Sequence, residues 1–375
     1  MLGVIRAAAA AMVLCSAGLT SACTAGTRAA LGEGGGAAQP RASPAAAAEP
    51  SAVPTAARLR LEPPLAPPVT VKVSTVHSVP DGPVLIGLQQ GYFQNEGLQV
   101  ELIPFGNTGQ ALAGLATNQL DVVIGGVSAN LYNQIARGIG VRVVADGGST
   151  APGYDWQGIA VRRDLLDSGR VRTPADFRGL KLNRVSIGGV SSYYVTLVLR
   201  QHGLAPEDVE LVDMPYPDAL AAFTTHGIDA SALIEPFLTR SETMGATVLL
   251  RSLDISPDIP GAAVMMAEGL LGQREAAVRF LRAWLRGVRD YLRAMSEPAQ
   301  REELLRLFQA NQIDIDPRAQ VPTFDPNGTL PLRPFAAHLQ YLVSAGIVGR
   351  PLGIQEVVEP SLIEEAARRL GPYQP

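Results

Sequence analysis

The order of apolar and polar positions divides the middle of the chain into short alternating elements. Across residues 84–128, Val84, Leu85 and Leu88 form one apolar helical face, and Gly91 supplies a helix stop. Leu98, Val100 and Leu102 alternate with polar residues, which predicts a strand. Leu112 and Leu115 share a second helical face, and Val122, Val123 and Ile124 form the unbroken apolar run of a buried strand. That run ends at Gly125, Gly126 and Ser128, a turn where backbone amides can come close to a ligand.

The same grammar extends in both directions. Val69, Val71 and Val73 predict a first strand, followed by a Pro/Gly-rich turn over 75–83 that holds His77. A helix over 130–137 and strands over 141–145 and 159–161 come next, and this alternation predicts parallel pairing in an α/β protein. Thr173-Pro174-Ala175-Asp176 has the form of a helix start. Strands over 182–187, 209–212 and 229–234 then alternate with helices over 193–201 and 219–224, and the turn Gly188-Gly189-Val190-Ser191-Ser192 repeats the earlier glycine-serine turn. Two further strands are expected over 247–250 and 261–266. From 273 the pattern is helical, with Val278, Leu281, Leu285, Val288, Leu292 and Met295 spaced by three and four as a core-facing stripe, and helices over 334–345 and 361–370 close the chain.

Composition changes the picture mainly at the start. Residues 1–22 place Arg6 before an apolar run over 7–14 and small residues before Cys23, the layout of a secretory signal. Residues 24–68 are dominated by Ala, Pro, Gly and Ser and have too few bulky apolar residues to offset the entropy of ordering, so a linker is expected over 23–68. The two cysteines, Cys15 and Cys23, both precede the folded body, which excludes a disulfide framework, a cysteine nucleophile and a thiolate metal site there. A net charge of -4 with mixed signs gives no footprint for nucleic acid. His77, His202, His226 and His338 show no metal-ligand spacing, and neither a metal nor a cofactor is expected.

Candidate ligand residues follow from position, because an open α/β sheet binds at the carboxyl ends of its strands. The turn with Gly126 and Ser128, and its counterpart with Gly189, Ser191 and Ser192, offer amides and hydroxyls at helix starts, which suits an anion or a carbonyl oxygen; a plain strand-to-helix connection is the other reading. Asn107 and Thr108 are either ligand contacts or helix caps. Tyr154, Trp156, Tyr193 and Tyr216 fall in or near turns where rings could cover a flat ligand, or serve in packing. His77 is a polar contact or a surface histidine.

Five segments carry a resemblance. G-Y-F-x-x-E-G-L-x-V-E-L over 91–102, A-L-x-x-L-A-x-x-Q-L-D-V-V-I-G-G over 111–126, the D-F-R-G-L-K segment at 176–181, E-P-F at 235–237 and Y-L-V-S-A-G-I-V at 341–348 resemble the NMT1-like substrate-binding proteins of ABC importers for nitrate, sulfonates, taurine and thiamine-pyrimidine precursors. The resemblance spans roughly residues 69–370 and implies an α/β type II periplasmic-binding-protein fold. Its two lobes are expected at 69–175 plus 257–375 and at 176–256, joined by a two-crossing hinge with the ligand between them. It also places Glu235 at the cleft, where a carboxylate would select an amino or amidine group; an exposed acid is the other reading.

The implied function is an extracytoplasmic solute receptor, a monomer that delivers a small solute to permease and ATPase subunits. Leu19-Thr20-Ser21-Ala22-Cys23 resembles a bacterial lipobox, which implies a lipid on Cys23 and anchoring to the outer face of the cell membrane, with ordinary signal cleavage as the alternative. An enzyme on the same fold is a second reading. The enzymes of this resemblance, a pyrimidine synthase and a desulfinase, rely on cysteine, which this body lacks, so no catalytic residue is expected. An extracellular sensor is a third, but the sequence contains no signalling module.

Overall fold

A computed structural model describes residues 62–374. The signal segment, Cys23 and the linker up to residue 61 lie outside the described residues. Ten strands are labelled here: β1 Val69–Thr75, β2 Leu98–Pro104, β3 Val122–Gly126, β4 Arg142–Gly148, β5 Gln157–Arg162, β6 Lys181–Asn183, β7 Glu210–Val212, β8 Ala230–Ile234, β9 Ala246–Arg251 and β10 Ala262–Met266. They form two five-stranded sheets, β2-β1-β3-β10-β4 and β7-β6-β8-β5-β9.

The sheets repeat one plan. In the first, β1 pairs in parallel with β2 and β3, while β10 is antiparallel to β3 and β4. In the second, β6 pairs in parallel with β7 and β8, while β5 is antiparallel to β8 and β9. Both sheets are therefore mixed, which corrects the parallel pairing expected from the alternation of elements. A strand that enters a sheet directly from the other lobe has no crossover helix to turn it round, so it runs against its neighbours. The same fact moves a boundary: residues 157–162 belong to the second sheet, so the first crossing precedes Gln157 instead of falling at 176. The chain returns to the first sheet between β9 and β10.

The two crossings are braced against each other. The Asp155 carboxylate accepts the amides of Ser252 at 3.2 Å and Leu253 at 2.8 Å, and Gln157 Nε2 donates to the Pro260 carbonyl at 3.2 Å.

The long helix Arg274–Ser296 backs the first sheet. Val278, Leu281, Leu285 and Val288 are fully buried, as their spacing predicts, with Phe280 and Trp284 beside them. Each such side chain contributes about 1.5–3 kcal/mol. Gly287 lets this helix press on Gly82–Gln89, because a Cβ there would stand 2.0 Å from the Pro83 carbonyl oxygen. The end of the expected linker is tied down. Leu65 donates its amide to Glu96 at 3.2 Å, Arg279 donates to the Pro63 carbonyl at 2.7 Å, and Arg282 reaches Glu62 at 3.0 Å.

One helix serves both lobes. Leu332–Ser344 carries fully buried His338 against Tyr132 of the first lobe, with ring centroids 5.7 Å apart, and against Tyr193 of the second at 5.2 Å.

Candidate functional site

Strand ends of both lobes meet at one cavity, and five helix starts converge there. Ser78 precedes the turn that leads into Gly82–Gln89, Asn107 caps Thr108–Ala116, Ser128 caps Ala129–Ala136, Gly189 caps Val190–Gln201, and Tyr216 opens Tyr216–Thr224. The first four follow from local sequence, since a small or polar residue sits where the strand stops and the helix must begin, and Pro215 precedes the fifth. The unpaired amides and dipoles of helix starts favour negative charge.

The cavity is about 40 Å³, room for about three water-sized groups. No Asp, Glu, Lys, Arg or His lines it among the described residues. Its polar groups are neutral: Ser78, Asn107, Thr108, Ser128, Trp156, Gln157, Ser186, Ser191 and Tyr216. Burial pushes the Tyr216 phenol up to about 12, so it keeps its proton and remains able to donate. Two buried polar groups, Ser128 Oγ and Trp156 Nε1, have no hydrogen-bond partner among the described residues. A buried donor left alone costs about 1–3 kcal/mol, so a ligand acceptor there would be rewarded.

The lobes touch directly at this point. The Ala129 amide donates to the Gly188 carbonyl at 2.9 Å, and Ser128 and Gly189 form an isolated antiparallel bridge. Gly188 has φ +70°, and a Cβ on it would lie 2.5 Å from that of Ala129, so glycine is required for both conformation and approach.

Of the residues singled out in the sequence, Asn107, Thr108, Gly126, Ser128, Trp156, Gly189, Ser191 and Tyr216 line the cavity. The other five do not. Ser192 and Tyr193 follow Ser191 around the helix and do not line the cavity; the Tyr193 ring packs on His338 and Tyr341. Tyr154 lies in a turn closed on Ala151, outside the cavity. His77 belongs to a neighbouring opening, where its Nδ1 lies 3.1 Å from the Asn311 carbonyl.

Glu235 is the main correction. It is fully buried and neither lines the cavity nor reaches the surface. Its carboxylate accepts the Thr239 amide at 3.0 Å and the Thr239 hydroxyl at 2.8 Å, with Arg251 at 3.6 Å. Burial raises its pKa, against the opposing pull of Thr239 and Arg251. Its partners are structural, so it is not available to select an amino group.

Sequence reasoning missed Ser78, Gln157 and Ser186. Ser78 carried a signal, since Asp81 three residues on returns a carboxylate to its amide at 3.1 Å as in a capped helix start. Gln157 and Ser186 carried none.

Two mixed α/β sheets, a two-crossing hinge and a donor-lined cavity between the lobes define the type II periplasmic-binding-protein class. The sequence profile described as NMT1/THI5 like matches residues 81–300, and the chain belongs to that family. A putative aliphatic sulfonates-binding protein of Bacillus subtilis (strain 168) is 28% identical over 214 residues, which cover 55% of this chain and 61% of that relative. The match thus spans about three fifths of the relative's length. The periplasmic nitrate-binding protein of Synechocystis PCC 6803 superposes with a TM-score of 0.68 at 15% identity, covering 81% of this chain and 89% of that one. A desulfurization enzyme superposes at 0.57 and 16% identity, covering 80% and 99%. At such identities these two structures share the fold alone.

Proposed function

We propose that this protein is the solute-binding component of an ABC importer and captures a sulfonate by closing its lobes on the oxyanion head. The observation that carries the reading is the cavity itself: five helix starts and several neutral donors converge, two of the buried polar groups are unpaired, and no charged side chain lines the walls among the described residues. Oxyanion oxygens accept several hydrogen bonds at once, and such an array stabilises them without a counter-ion. The small volume suits an anionic head better than a pyrimidine ring. With Glu235 engaged elsewhere, nothing there selects a cationic amine. The curated relative named for aliphatic sulfonates supports the choice of sulfonate over nitrate.

The cavity also lacks a titratable acid-base pair among the described residues, which supports capture over catalysis. Delivery to a permease, a monomeric state and a lipid on Cys23 belong to the same proposal. The test is titration calorimetry of the purified mature chain with methanesulfonate, ethanesulfonate, nitrate and an aminopyrimidine. Sulfonate binding that exceeds the other two classes is expected; binding of the aminopyrimidine alone would overturn the reading. Mass spectrometry of the membrane-extracted protein checks the anchor, with a lipid-bearing N-terminal Cys23 expected.

A further inference from the structure

The head cavity accounts for only part of the space between the lobes. A second opening of about 340 Å³ shares Val76 with it and is lined by Phe105, Leu220, Phe237 and Met244 together with His77 and Arg240. Residues of both lobes contribute, as they do to the head cavity. The partition between the two spaces is aromatic: Tyr216 lines the first, Phe237 lines the second, and their rings stack with centroids 5.0 Å apart and planes 17° from parallel.

The chemistry of the second space differs. Its walls are largely apolar, and its one arginine is half-buried. Elsewhere in this protein arginines are commonly paired with carboxylates, as Arg162, Arg184, Arg282 and Arg369 are. Among the described residues, Arg240 meets no carboxylate within ion-pair distance and donates no side-chain hydrogen bond. A guanidinium held against apolar walls is weakly hydrated and suited to a planar carboxylate.

We infer that the preferred ligand is a two-ended organic anion: an oxyanion head sits in the small cavity, an aliphatic or aromatic body passes Val76 beside the Tyr216–Phe237 pair, and a second anionic group, a carboxylate, meets Arg240. This rests on the reading of the head cavity given above and adds the class of solute and the residue that selects it.

The experiment is calorimetry on the mature chain and on Arg240→Gln, with methanesulfonate, a series of linear alkanesulfonates of increasing length, and ω-carboxyalkanesulfonates of matched length. Among the described residues the Arg240 side chain holds no ion-pair or hydrogen-bond partner, so the variant is expected to melt like the wild type. In the wild type, one carboxylate-bearing probe should bind at least about tenfold more tightly than its matched alkanesulfonate, the scale of one charge-assisted hydrogen bond. That advantage should vanish in Arg240→Gln, with methanesulfonate affinity unchanged. If methanesulfonate binds but the carboxylate adds nothing at any length, or if Arg240→Gln weakens all probes equally, the inference fails and the head cavity stands. If no sulfonate binds the wild type, the head-cavity reading fails and takes this inference with it.

Discussion

The Ala129 amide and the Gly188 carbonyl, 2.9 Å apart, make a backbone hydrogen bond that crosses from one lobe to the other at the rim of the cavity. The two glycine-serine turns therefore grip one another main chain to main chain.

Gly188→Ala tests this contact. The added methyl would fall 2.5 Å from the Ala129 Cβ, and the left-handed backbone would cost about 1–2 kcal/mol for a residue with a side chain. The lobes should stop short of full closure. Methanesulfonate affinity should fall at least about tenfold, and the compaction on ligand addition seen by small-angle scattering should shrink. Unchanged affinity and compaction would refute a closing role for this pair.

Ser128→Ala and Trp156→Phe each remove one of the two unpartnered polar groups. The Ser128 side chain makes no capping bond to its own helix, so the free Ser128→Ala protein should melt at or slightly above the wild-type temperature. Each variant should bind sulfonate more weakly by about 1.5–3 kcal/mol, the range for a hydrogen bond to a charged group. Calorimetry beside a thermal melt separates the two effects.

Glu235→Gln should do the reverse. The new amide would face the Thr239 donors with one acceptor fewer, and stability should fall by about 1–3 kcal/mol in chemical denaturation. Sulfonate affinity should hold. A large change in affinity with an unchanged denaturation midpoint would return Glu235 to the binding site.

His338 gives a pH dependence of known sign. Burial pushes its folded-state pKa down from 6.5 to about 3, against a weaker upward pull from the Gly188 and Gly189 backbone. Between those values the unfolded chain takes a proton there and the folded protein does not. The contribution is therefore fully present above about pH 6.5 and declines as pH falls towards 3, with a slope up to about 1.4 kcal/mol per pH unit. His338→Phe should flatten the loss of stability from pH 6.5 to 4 in denaturant titrations; an unchanged slope would show that His338 is protonated in the folded state.

Much of this was legible in the chain. The stripe from Val278 to Val288 lies fully buried because helical spacing fixes which face meets the core. The turns at Ser128 and Ser191 reach the cavity because strand ends and helix starts are both written locally. What escaped depended on partners distant in sequence or on rotation within an element. The apolar run over 159–161 in β5 shows that it is a strand but not which sheet receives it. Ser191 lines the cavity while Ser192 and Tyr193 do not, since each helical residue advances about 100°. Glu235 looked available because Arg251, sixteen positions on, cannot be seen beside it in the sequence.

The N-terminal attachment has a mechanical consequence. Glu62 is held by Arg282 and Arg369, and Leu65 by Glu96, all in the lobe that contains the first sheet. A pull on the chain ahead of Glu62 is therefore borne by that lobe, which acts as a fixed frame. The other lobe is linked to it through the two crossings braced by Asp155, so on the proposed closure it is the lobe that moves.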